Sequence, residues 1–155
     1  MSIKHLILTF LLFTCSTVEE TSTSNYIEPN HSYTAYEQSC IALLNNARVI
    51  NGLKPLILHN GLSELAMGHV IYLSSNKLIN HNNYGVRLYT SRDMGFKTLS
   101  ENVAYGYTNI DSLISAWLKS GGHRDNLLNV VHTHHGFAIG IDSDGKYYYV
   151  HIFSH

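Results

Sequence analysis

The sequence predicts an α+β fold, because two kinds of hydrophobic periodicity occupy different parts of the 155-residue chain. Between about residues 32 and 120, apolar side chains recur every three or four positions, as in helices that bury one face. After residue 135 they alternate at every second position on both sides of a short polar turn, as in a β-hairpin. We therefore expect helices that flank a small antiparallel sheet.

The first two helices are predicted from start and stop residues as well as from periodicity. Ser32 can cap a helix that runs to about Asn51, and Gly52 supplies its stop. A Pro-containing link from Leu53 to His59 leads into a second helix, from about Leu62 to Ser75. The apolar face of the first helix comprises Tyr36, Cys40, Leu43, Leu44, Ala47 and Ile50.

The later elements are marked by short breaks in the pattern. Val86 to Met94 predicts a short third helix, and a fourth begins near Asn109 or Asp111. Gly121-Gly122 ends the fourth helix, so His123 is expected at the start of a new turn. The hairpin follows, with residues 142–145 as its turn. Its two aspartates resemble part of a calcium loop, but the other ligands of that motif are absent, which favours a simple turn.

Composition limits the classes of partner. Hydrophobic residues make up 45% of the chain and charged residues 14%, and 10 Lys and Arg stand against 11 Asp and Glu. Without a basic field the chain is not expected to bind nucleic acid. The length fits one domain, which we expect to be monomeric. The 11 histidines make mild acid a condition to test.

The N-terminal segment predicts export. Residues 1–14 combine a short basic start with an apolar run too short to span a bilayer, as in a signal peptide. Cys15 follows that run with Leu12 three residues before it, which resembles a bacterial lipoprotein cleavage box. We expect cleavage before Cys15, acylation of its thiol and anchoring to a bacterial outer membrane at the cell surface. The alternative is an ordinary signal peptide. Residues 15–31 predict the lipidated Cys and a flexible tether.

Several short motifs follow one another between residues 81 and 140 in a fixed order. They are His81, Gly85, Arg92, Gly95, the run Glu101-Asn102-Val103-Ala104-Tyr105-Gly106, Trp117, the run Gly122-His123-Arg124-Asp125-Asn126-Leu127-Leu128-Asn129, and Gly136-Phe137-Ala138-Ile139-Gly140. Together they resemble the CAP superfamily (the SCP or pathogenesis-related-1 type) in its short bacterial form, and in particular a spirochaete outer-surface CAP lipoprotein. The resemblance implies a three-layer α-β-α sandwich over residues 32–155.

The resemblance also implies a cleft. His81, Glu101 and His123 fall at three places of a family tetrad of two His and two Glu, and Ser120 stands where the second Glu should be. Only folding can bring the three together, because 20 and 22 residues separate them. Two imidazoles and a carboxylate can hold Zn²⁺ or another divalent cation, or act as acid and base. The alternative is a polar network in which Glu101 fixes imidazole tautomers.

Three further residues are candidates for supporting this cleft from behind. His69 points inward from the second helix, either as a core histidine or as a partner of the cleft residues. Asn102 could orient Glu101, and Arg124 could pair with an acid such as Asp125; architectural roles are the alternative for both.

Two other features invite a chemical interpretation. The run His132-Thr133-His134-His135 looks like a metal cluster, but no carboxylate or thiolate is interspersed, which favours the polar lining of a loop and strand. Cys40 lies on the apolar face of a helix and is expected to be a small buried hydrophobe.

Two functions from different classes remain. The first is a membrane-anchored binding module for an extracellular protein, lipid or sterol. The second is a zinc-assisted hydrolase, of esterase, peptidase or lipase type, in which His123 or Glu101 activates water. The binding module is favoured, because no complete Gly-x-Ser-x-Gly nucleophile elbow surrounds Ser120 and its place belongs to a missing carboxylate. On this view the chain has no confident catalytic residue.

Overall fold

The computed structural model describes residues 26–155. The predicted signal peptide, Cys15 and the first part of the predicted tether lie outside the described residues. Nine elements follow one another: α1 (Ala35–Ile50), β1 (Ile57–Leu58), α2 (Asn60–Asn76), α3 (Tyr84–Asp93), β2 (Leu99–Tyr105), α4 (Ile110–Lys119), α5 (Gly121–Leu127), β3 (His134–Ile141) and β4 (Tyr147–Ser154).

The four strands form one mixed sheet in the order β1-β3-β4-β2. The pairs β2–β4 and β3–β4 are antiparallel, and β1 pairs in parallel with β3. The predicted antiparallel sheet is thus present as β2, β3 and β4, and the sequence did not predict β1, which adds a parallel pair at one edge. This strand is two residues long, within the link that follows α1, so it is too short to show any periodicity.

The sheet separates two hydrophobic clusters. One lies under α1, α4 and α5 and includes Leu44, Trp117, Phe137 and Tyr149. The other lies under α2 and α3 and includes Leu73, Val103, Val150 and Ile152. Successive residues of the central strand β4 thus point into opposite clusters, as the pleat requires. This layering confirms the predicted α+β fold and the α-β-α sandwich that the family resemblance implied.

Local chemistry sets the helix starts. Thr34, rather than Ser32, caps α1: its hydroxyl accepts from the Glu37 N–H, and the Glu37 carboxylate accepts from the Thr34 N–H. This reciprocal arrangement is a capping box, and it places the start two residues later than Ser32 would. Residues 26–31 are irregular and lie beside α2, where Glu28 accepts from the Asn60 N–H at 2.6 Å.

A glycine brings α2 close to the sheet. A Cβ built on Gly136 of β3 would lie 2.1 Å from the Leu62 carbonyl carbon, so only glycine allows this approach. The close packing fixes α2, which carries His69, against the centre of the sheet. No helix among residues 26–155 has both the length and the apolar character needed to cross a bilayer.

Candidate functional site

Glu101 lies on the edge strand β2 and points into the layer of α2 and α3. Its carboxylate is 1% exposed and is held by two cationic or polar neighbours. The Arg87 guanidinium contacts it on both oxygens, with Nε 2.7 Å from Oε2 and Nη2 2.8 Å from Oε1. The His81 ring donates from Nδ1 to Oε1 at 2.7 Å. The charge of the buried carboxylate is therefore neutralised by Arg87, through one hydrogen bond to Oε1 and a close contact at Oε2.

His81 and His69 approach this carboxylate from different directions. His81 comes from the segment between α2 and α3, and its side chain is half exposed. His69 is buried on α2, and its Nε2–H donates to the Asn80 carbonyl at 2.9 Å. Burial lowers the pKa of His69, so it is neutral at pH 7, and its 3.6 Å separation from Glu101 is no ion pair. His69 holds the main chain next to His81.

Asn102 lies on the opposite face of β2 from Glu101, because neighbouring residues of a strand alternate. Its side-chain amide donates to the His123 carbonyl at 2.9 Å, and its oxygen accepts from Asn126 at 2.9 Å. Asn102 therefore fixes α5, which carries His123, rather than orienting Glu101. Arg124 is largely exposed and lies 3.8 Å from Asp125, a contact that solvent screens.

His123 and Ser120 line an apolar pocket of about 320 Å³ at the outer edge of β2. Its other walls include Ile79, Val103, Tyr105, Tyr107 and Trp117. Burial, followed by the charge of His81, lowers the pKa of His123, so its imidazole is neutral at pH 7. Ser120 ends α4 and begins α5, and its hydroxyl makes no capping bond.

The structure thus bonds His81 directly to Glu101, and it places His123 and Ser120 on the apolar pocket beyond the edge of β2. Within residues 26–155, no group of three or more His, Cys, Asp or Glu side chains is placed to share a metal ion. Both Glu101 oxygens already contact the Arg87 guanidinium. The donor set does not fit a shell of His81, Glu101 and His123, because a cation already sits against the carboxylate.

Arg87 is the member of this site that the sequence did not reveal. It lies on the inner face of α3 with Ser91, four residues later, and both are buried. The arginine of the predicted motif is Arg92 instead. Arg92 is exposed, and its guanidinium carbon lies 5.5 Å from the centroid of the Tyr89 ring. The sequence shows neither the burial of Ser91 nor the partner of Arg87, and only the three-dimensional packing brings Arg87 to Glu101.

Strand β2 has an edge without a strand partner beside the pocket, where Tyr105 is exposed and Val103 is largely buried. Gly106 N–H donates to the Tyr147 carbonyl of β4, so the even-numbered residues of β2 bond to β4 and the odd-numbered ones point outward. The outward carbonyls of Leu99 and Glu101 accept from Tyr84 and Asn126. The outward main-chain groups of Val103 and Tyr105 have no partner among the described residues.

The histidine-rich run lies in and beside the core rather than in this cleft. His135 and His151 are fully buried, and His135 Nδ1 is 2.9 Å from His151 Nε2. Burial lowers the pKa of His135 to about 3, and it lowers the pKa of His151 further below its ordinary value of 6.5. Cys40 is also buried, which raises the pKa of its thiol to about 11 and keeps it protonated.

This fold is that of the CAP-type proteins among the solved structures. The CAP family, described as the cysteine-rich secretory protein family, matches residues 41–153. The chain therefore belongs to the CAP family, as its motifs indicated.

Individual relatives agree with the assignment. An uncharacterized Bacillus subtilis protein, YkwD, is 33% identical over 125 residues, which is 78% of this chain and 48% of the relative. The chain thus spans about half the length of that relative. An outer surface protein from Borrelia burgdorferi has the same fold, with a TM-score of 0.70 and 21% identity over 83% of this chain and 98% of its own. An extracellular SCP-domain protein from Bacillus anthracis gives a TM-score of 0.63 and 26% identity over 81% and 45% of the two chains.

Proposed function

We propose that this chain is a surface-exposed CAP-domain binding module whose cleft takes an extended segment of a partner protein along the open edge of β2. The observation that carries the proposal is the apolar pocket of about 320 Å³ next to the outward main-chain groups of Val103 and Tyr105. An extended peptide can make main-chain hydrogen bonds to the edge of β2 and place an apolar side chain in the pocket.

The polar network supports binding rather than turnover. The Glu101 carboxylate is buried, accepts hydrogen bonds from Arg87 and His81 on Oε1, and has its charge paired with the Arg87 guanidinium, which disfavours a role as a base or metal ligand. The pocket wall contains no Asp or Glu. Most of the surface that a ligand would meet there is aliphatic or aromatic, which is the usual lining of a ligand-binding pocket.

The proposed location rests on the N-terminal sequence and on the relatives. Residues 1–14 and Cys15 have the pattern of a lipoprotein signal, and two of the solved relatives are outer surface or extracellular proteins. Growth with a labelled fatty acid tests the anchor. The wild-type chain should carry the label and Cys15→Ala should not; an unlabelled wild type, or equal labelling of both, would contradict lipidation at Cys15.

A selection from a random peptide library tests the binding function. Ala116 lines the pocket, so Ala116→Phe should fill it and abolish binding of the selected peptides. Ser112→Phe is the matched control, because Ser112 is exposed on the same helix α4 and does not line that pocket. Trp117, the chain's single tryptophan, lies in the pocket wall and reports occupancy through its fluorescence. Peptides that bind the wild type and Ala116→Phe equally would contradict the proposal.

A hydrolase that uses the same cleft is the second candidate, favoured by a neutral His123 that shares the pocket with the hydroxyl of Ser120. The test is a screen of esters, peptides and phospholipids with and without zinc. Turnover that His123→Ala abolishes would establish this function. A calorimetric titration with zinc, of the wild type and of Glu101→Gln, tests whether such a hydrolase would use a metal in this cleft. If it does, Glu101→Gln should bind zinc at least tenfold more weakly than the wild type.

A further inference from the structure

A second pocket lies at the opposite edge of the sheet, beside β1. Its volume is about 490 Å³, within the range of sites for small organic ligands. It lies between the end of α1, the segment that leads to β1 and the segment that leads to β3. None of the residues of the cleft lines it.

Arg48 forms the floor of this pocket without an acidic partner. Its side chain is buried, at 2% exposure, in the last turn of α1. Nε donates to the Lys54 carbonyl at 3.0 Å, and Nη1 donates to the carbonyls of Leu127 and Asn129 at 2.7 and 3.0 Å. Among the described residues, no Asp or Glu pairs with it, and Nη2 has no hydrogen-bond partner. Carbonyl oxygens satisfy donors, but they do not neutralise a buried charge.

His132 gives a second, independent sign of an incomplete site. It lines the same pocket at 5% exposure, and neither ring nitrogen bonds to any described group. Its ring stacks on Phe153, with centroids 5.6 Å apart. A buried imidazole without a hydrogen bond is costly, so a ligand that bonds to it would recover that free energy.

The rest of the lining defines the ligand. Lys54 is an exposed cation at the rim, and the lining contains no Asp or Glu. Pro55, Ile57 and Val130 supply apolar walls, and the last two are 61% and 75% exposed. The charges of Arg48 and Lys54 favour an anionic ligand, and the apolar walls favour a short aliphatic group next to the anion.

We infer that the pocket between α1, β1 and β3 binds a small carboxylate with a branched or short aliphatic group, either as a free molecule or as the C-terminus of a peptide. Arg48 Nη2 and His132 contact the carboxylate, Lys54 adds long-range attraction, and Ile57 and Val130 cover the aliphatic group. This site is independent of the cleft at β2.

Calorimetric titration of the full chain with N-acetyl-L-leucine and with its uncharged amide tests the inference. The acid should bind at least tenfold more tightly than the amide, because only the acid carries the anion. N-acetyl-Ala-Ala-Leu is the third probe. Tighter binding of this peptide than of N-acetyl-leucine assigns the site to a peptide C-terminus, and weaker binding assigns it to free carboxylates.

Surface variants keep the test independent of folding, because Arg48 also joins α1 to residues 127–129. Lys54→Glu and Val130→Asp should each weaken binding of N-acetyl-L-leucine at least fivefold. Lys119→Glu, which replaces an exposed lysine on α4, should leave that binding unchanged. Binding should also shift the ring signals of His132 at pH 5 towards the protonated form. No measurable heat, equal binding of acid and amide, or wild-type affinity in both pocket variants would overturn the inference.

Discussion

Two buried arginines in the described domain are satisfied in different ways. Arg87 meets the carboxylate of Glu101 on both oxygens, beside the edge strand β2. Arg48, near the other edge of the sheet, meets only carbonyl oxygens. The first charge is neutralised inside the protein, and the second is not. Arg87 thus belongs to a polar network inside the fold, whereas the charge of Arg48 can still be neutralised by a ligand.

The same contrast extends to the histidines around each arginine. His81 bonds to the Glu101 carboxylate, next to Arg87. Near Arg48, burial and then neighbouring charges that include Arg48 lower the pKa of His132 to about 4 and that of His135 to about 3. A buried arginine without an acidic partner thus disfavours protonation of the histidines around it.

Acid should give the largest effect. His132, His135 and His151 have folded-state pKa values below the unfolded value of 6.5, so their contribution to stability is complete above about pH 6.5. It is lost as the pH falls below 6.5, because the unfolded chain then binds more protons. Between pH 6.5 and 5 each histidine accounts for about 1.6 kcal/mol, or up to about 5 kcal/mol together.

Urea unfolding at several pH values measures this loss. His132→Asn should make the slope of stability against pH shallower by the share of one histidine, whatever its effect at pH 7. A free energy of unfolding that stays constant between pH 7 and pH 5 would show that these histidines are not buried in the neutral form.

Breaking the neutralised pair should give the next largest effect. Arg87→Met leaves the Glu101 carboxylate buried without its cation and should cost about 3–5 kcal/mol in the free energy of unfolding. Arg87→Met/Glu101→Leu should recover more than half of that loss, because no buried charge remains. Arg92→Met, on the exposed face of the same helix, is the matched control and should change stability by less than about 0.5 kcal/mol. A loss below about 1 kcal/mol in Arg87→Met would contradict the buried pair.

Removing the other arginine should cost less. Arg48→Met removes hydrogen bonds to three carbonyls but leaves no buried charge behind, so we expect a loss of about 2 kcal/mol in the same unfolding experiment. If Arg48→Met is as damaging as Arg87→Met, the two arginines do not differ in the way that their contacts indicate.

The smallest effect concerns the support of α5. Asn102→Ala removes the bonds to the His123 carbonyl and to Asn126 and should cost about 1–2 kcal/mol. It should also change the fluorescence of Trp117, whose ring centroid lies 6.3 Å from that of His123. Asn76→Ala, an exposed asparagine on α2, should do neither. A wild-type emission spectrum in Asn102→Ala would show that α5 does not depend on this contact.

The sequence predicted the helices better than the sheet, for physical reasons. The long helices α1 and α2 show a regular apolar face, and their observed bounds lie within three residues of the predicted ones. Strand β2 escaped detection because both of its faces are buried and Glu101 and Asn102 interrupt its apolar pattern. Strand β1 consists of two residues that gain their bonds only from β3.

The candidate site divides in a similar way. The motifs pointed to His81, Glu101, Ser120 and His123, and the structure places the first two in contact and the last two on one pocket. Arg87 could not be found from spacing, because its partner is 14 residues away and on a different element. The unpaired edge of β2 is a property of the sheet order, which local patterns do not specify.

Amide hydrogen exchange, measured by NMR with and without a library-selected peptide, tests the proposed binding mode most directly. The Val103 and Tyr105 amides face the open edge, whereas the Ala104 amide faces β4. An added peptide strand should slow exchange at Val103 and Tyr105 at least tenfold and leave Ala104 nearly unchanged. Unchanged exchange at both outward amides in the saturated complex would contradict a partner strand at β2.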